Sequence, residues 1–112
     1  MAEEIKSEAS LTMVQKRLLF NQLTKDAKEL KELAKGRIVD DADILRGIIM
    51  KAIEISHTVM KYFYSNSENK TNQLANLEKI KPEVLKETNI ASLQVICKDS
   101  LKMVKRVFKG VN

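Results

Sequence analysis

Apolar and polar positions recur along this chain with the period of an amphipathic helix over almost its whole length. Thr12-Met13-Val14-Gln15 has the form of a capping box, with Thr12 at the N-cap and Gln15 three residues on. From there Leu19 with Phe20, Leu23, Ala27, Leu30, and Leu33 with Ala34 fall on one face. Lys25, Lys28, Glu29, Lys31, Glu32 and Lys35 take the other, with Lys25–Glu29 and Lys28–Glu32 spaced as i,i+4 pairs. Gly36 stands where a left-handed residue closes a helix. The pattern predicts a first helix over residues 12–35, after a loose polar tail over residues 1–10.

Arg37-Ile38-Val39 reads as a short connection. Asp40, Asp41 and Asp43 then supply an N-cap and negative charge for the first turn of a second helix, predicted over residues 41–64. Its main stripe is Ile44, Leu45, Ile48, Ile49, Ala52, Ile55, Val59 and Phe63, and Met50, Ile53, Met60 and Tyr64 widen it past one face. A helix that is apolar round most of its circumference is buried round most of it. It is therefore either the central helix or a subunit interface.

Residues 65–72 are polar, without period and rich in turn formers, and predict a loop. Leu74, Leu77 and Ile80 then mark a short helix, which Lys81-Pro82 is expected to break, with a further turn as far as Glu87. Thr88 or Asn89 caps a last helix over residues 89–109, with Ile90, Leu93, Ile96, Cys97, Leu101, Val104, Val107 and Phe108 on its stripe. Val84 and Leu85 fall outside that stripe, which sets the interrupted segment (73–87) apart from the last helix. Gly110 ends it. The expected fold class is all-α, an antiparallel helical bundle of three long helices and one short interrupted segment, forming a single domain over residues 11–112.

Composition narrows the classes. Three glycines and one proline in 112 residues argue against a turn-rich β fold. Gly36, Gly47 and Gly110 are too dispersed for a phosphate-cradling loop. Cys97 is the only cysteine, so no intramolecular disulfide can form, which suits a reducing compartment. The first residues lack the basic and apolar regions of a secretory signal, and no apolar run approaches the roughly 20 residues of a membrane span. The expected location is intracellular, the cytoplasm or a eukaryotic nucleus.

The formal charge of +5 is not spread evenly. Residues 90–112 hold five cations, Lys98, Lys102, Lys105, Arg106 and Lys109, against the single acid Asp99. Such a helix face can neutralise phosphates or lie on an anionic surface, and a basic amphipathic pattern is also what helix-in-groove partners recognise. The plain alternative is a solvated face whose cations complement the helix dipole. Exposed rings interleaved with the cations, as single-strand recognition needs, are missing from the pattern.

Catalytic chemistry finds little support. Ser56-His57-Thr58-Val59-Met60-Lys61 faintly resembles the motif of histidine-phosphotransfer domains. Those place lysine three residues after the histidine and a small residue next, where this chain has Met60 and Lys61, followed by the bulky Tyr62. One His and one Cys cannot close a Cys/His zinc site, and Glu54-x-x-His57 occurs once where a di-iron bundle needs it twice. Cys97 lies on an apolar stripe, as a small core residue does. No catalytic, cofactor or metal residues are assigned. The expected function is a non-enzymatic interaction or adaptor protein that self-associates through the second helix, with Ile53, Met60, Tyr62 and Tyr64 at the interface. Its partner is then a protein or a second copy of the chain. The alternative is a nucleic-acid-binding accessory factor using the basic last helix, and a lesser one is phosphotransfer through His57.

Overall fold

The structure, a computed structural model, describes residues 11–34 and 40–111. These fold into four helices and, among the described residues, no strand: α1 (Met13–Ala34), α2 (Ala42–Phe63), α3 (Glu68–Lys86) and α4 (Ile90–Lys109). The tail over 1–10, the Gly36 stop and the Arg37-Ile38-Val39 connection lie outside the described residues.

Each start has a local cause. The capping box closes α1 in both directions: Thr12 N–H donates to Gln15 Oε1 at 2.9 Å, and Gln15 N–H to Thr12 Oγ1 at 3.1 Å. Asp41 caps α2 by accepting from the backbone N–H groups of Asp43 and Ile44. Asn89 caps α4 through Ser92 N–H at 2.9 Å.

The third element is a correction to the sequence pattern. It is one continuous helix of 19 residues, neither short nor interrupted, and it takes in residues 68–72 of the predicted loop. Ser67 caps it through Lys70 N–H at 3.0 Å. Pro82 sits inside it, five residues before the C-cap Glu87. Proline there removes one backbone bond and disfavours the preceding helical residue. Burial outweighs that, because Leu77 and Val84, two helical turns apart on one face, are 5% and 2% exposed in the common core. Val84 was out of phase with α4 because it belongs to α3.

All four helices feed one core, and α2 is its axis. Nine α2 residues are buried, against two each in α1 and α3. α2 packs on α4 most extensively, then on α3 and α1. The side chains fix the directions. Phe20, near the start of α1, meets Phe63 and Phe108 edge-on near the ends of α2 and α4, at ring separations of 5.4 and 5.6 Å. Arg46, near the start of α2, donates to the carbonyl of Glu87 at the end of α3. Tyr64, at the end of α2, donates to the carbonyl of Val107 near the end of α4. α1 and α3 therefore run opposite to α2, and α4 runs with it. No helix of the described residues is long and apolar enough to cross a membrane.

Candidate functional site

Because α1 and α4 both pack on α2 more than on each other, an open groove of about 530 Å³ is left between them. Its floor is apolar: Ala27 and Ala34 from α1, Leu101, Val104 and Phe108 from α4. Its rims are basic on both sides, with Lys28 and Lys31 from α1 and Lys98, Lys102 and Lys105 from α4. Among the described residues, no acidic side chain lines it. None of the ion pairs seen among the described residues uses these five lysines.

The sequence-predicted cations are thus only partly brought together. Lys98, Lys102 and Lys105 share one stripe. Arg106 stands at a second groove of about 370 Å³, lined also by Met60, Tyr64, Leu77, Met103 and Val107. Lys109 is exposed at the last residue of α4. Lys28 and Lys31 read as a solvated face in sequence; only the antiparallel placement of α1 beside α4 aligns them with the others.

The residues expected at a protein interface are mostly internal. Ile53 and Met60 are 1% and 3% exposed, enclosed by the chain's own helices because α2 is central. Both are therefore core positions of the single chain. Tyr64 is a clasp: its hydroxyl donates to Val107 O at 2.8 Å, and a Cβ at residue 110 would collide with that hydroxyl and lie 2.8 Å from Cζ. Gly110 is therefore set by this close approach, since its own φ is −75°. Tyr62 is half-buried, with Lys61 Nζ 5.5 Å from its ring centre.

His57 is also partly covered. Its Nε2 lies 4.0 Å from Glu78 Oε2, which accepts from Lys81 Nζ at 2.8 Å. Burial holds the imidazole below its ordinary pKa; Lys81 and Lys61 push the same way and Glu78 opposes them. The Lys81 hydrogen bond in turn holds the Glu78 carboxyl below its ordinary range. Cys97 is buried, and burial pushes its thiol up, away from the thiolate a nucleophile needs. Among the described residues no cluster of three His, Cys, Asp or Glu could hold a metal ion.

Lys70 and Arg46 carry structural roles that the pattern of apolar positions does not signal. Lys70 Nζ donates to Lys61 O, Tyr64 O and Asn66 Oδ1, each at 3.0 Å, and so satisfies the open end of α2 from the first turn of α3. No family model, no curated protein and no solved structure matches the chain.

Proposed function

We propose that the chain is a small, intracellular, non-enzymatic interaction module whose docking surface is the α1–α4 groove. One observation carries this: five lysines not used in the ion pairs seen among the described residues flank an apolar floor between two helices. Concave apolar surface with a few charged groups at its edge is the usual form of a recognition site. Self-association through Ile53 and Met60 is not part of this reading, because both are almost wholly buried within the single chain.

The test is photo-cross-linking in the cells that make the protein. A benzophenone amino acid at Thr24, at one end of the groove, is compared with the same residue at exposed Glu68 on α3. The expected outcome is a discrete cross-linked protein from position 24 and none from 68. Absence of a product at 24, or equal products at both, overturns the reading.

The stripe of Lys98, Lys102 and Lys105 alongside Lys28 and Lys31 favours one second reading, a nucleic-acid-binding accessory factor. Neutralising five phosphates would give a log–log salt slope of about −4.5 on duplex DNA and about −3.5 on a single strand. Lys98→Glu, Lys102→Glu and Lys105→Glu together should then abolish gel shifts of DNA or RNA. No shift with either at low salt removes this reading.

A further inference from the structure

We propose that the occupant of the α1–α4 groove is an acidic amphipathic helix of a partner protein, an inference that rests on the groove being the docking surface. The dimensions point to a helix. The groove is lined from Thr24 to Ala34 on α1 and from Lys98 to Phe108 on α4. Ten residues of helix advance about 15 Å, just under three turns. The two walls are antiparallel helices, and a slot of this length between helices suits a third helix of about 10–14 residues. Apart from the last turn of α1, its walls are helical backbone, whose donors and acceptors pair within the helix. An extended strand seated there would place its own backbone groups on Ala27, Leu101 and Val104 with nothing to pair them. A helix brings its backbone already bonded.

The chemistry points to acid on both flanks. Lysines stand on each rim, so the complementary helix carries an apolar stripe with carboxylates on either side of it. The small Ala27 and Ala34 leave room for its larger apolar side chains. A second copy docking by the same face would set lysines against lysines. A nucleic acid would use the rims and leave the floor idle. The one ring in the floor, Phe108, is packed edge-on against Phe20 and presents no stacking platform.

The test uses the full chain, isotope-labelled, and a synthetic 14-residue peptide with leucines at i, i+3, i+4 and i+7 and glutamates on both flanks. Controls are a permuted peptide of the same composition, a 12-nucleotide single strand and duplex, and vesicles of phosphatidylcholine and phosphatidylglycerol. The expected result is saturable binding of the amphipathic peptide, with amide shifts confined to the facing sides of α1 and α4. Lys98→Glu, Lys102→Glu and Lys105→Glu together should weaken it at least tenfold. The milder Lys102→Gln with Lys105→Gln should weaken it in the same direction, keeping the test decisive if three reversals disturb folding. Thr24→Trp, which fills one end of the groove without changing charge, should also weaken it severalfold.

Equal binding of the permuted peptide overturns the proposal, as does indifference to Thr24→Trp. So does binding of the oligonucleotides or vesicles at these lysines where the amphipathic peptide fails. If the cross-link at position 24 forms and the acidic peptide does not bind, the docking surface stands and its proposed occupant falls. If no cross-link forms, the docking surface itself falls.

Discussion

Three residues show how the same side-chain type changes meaning with its surroundings. Ser56 is polar in sequence, yet it is fully buried and its Oγ has no hydrogen-bond partner among the described residues. Leaving a buried hydroxyl unpaired costs about 1–3 kcal/mol, whereas removing it leaves a very small void. Ser56→Ala should therefore stabilise the fold by about 1 kcal/mol, read as a higher urea midpoint with an unchanged slope. Tyr64 carries the opposite lesson. A tyrosine next to a polar segment suggests an exposed contact, but its hydroxyl is used inward on Val107 and its ring fixes residue 110 as glycine. Cys97, on the apolar stripe of α4, is 5% exposed, as a core cysteine is.

At the scale of elements, helix starts follow local chemistry and helix continuity does not. Thr12, Asp41 and Asn89 each cap the helix that the sequence places after them. The pattern fails at residues 68–72 and at Pro82, because polar composition and proline outweigh two apolar anchors seven residues apart. Leu77 and Val84 could have signalled one helix, since that spacing returns to the same face. The start of α3 also repairs the end of α2, through Lys70 and its three acceptors. A charged donor serving several acceptors at a half-buried site is worth about 1–2 kcal/mol. Lys70→Met should cost that much in urea unfolding, and amide exchange should accelerate first at the last turn of α2.

At the scale of the molecule, α2 sets the arrangement, and the partial burial of its His57 couples that arrangement to pH. His57 of α2 faces Glu78 and Lys81 of α3, and its folded pKa lies below 6.5, chiefly because of burial. The unfolded imidazole binds its proton more readily than the folded one. Its contribution to stability is thus present above the unfolded value and lost as pH falls through the lowered folded value. Urea midpoints should decline as pH drops past 6.5, and His57→Gln should remove that step while leaving the carboxylate-driven decline at lower pH. The groove belongs to this scale too. Neither α1 nor α4 contains it; it exists because both pack on α2 in opposite directions and stay apart over Ala27 and Leu101.

The sequence by itself determined the helical class, the caps, most of the apolar stripes of α1, α2 and α4, with Leu33 and Ile44 half exposed instead, and the concentration of charge in the last helix. These depend on neighbours within about two turns along the chain, and the residue pattern carries that range. Only the tertiary structure decided whether the broad apolar face of α2 was a core or an interface. Within the single chain it is core: Ile53 and Met60 are buried in the common cluster, and α2 packs on each of the other three helices. Only the tertiary structure divided the cations of α4, sending Arg106 to one groove and joining Lys98, Lys102 and Lys105 to Lys28 and Lys31 in another. Those lysines are some seventy positions apart in the chain, and their alignment is a consequence of helix direction and packing that no local pattern encodes.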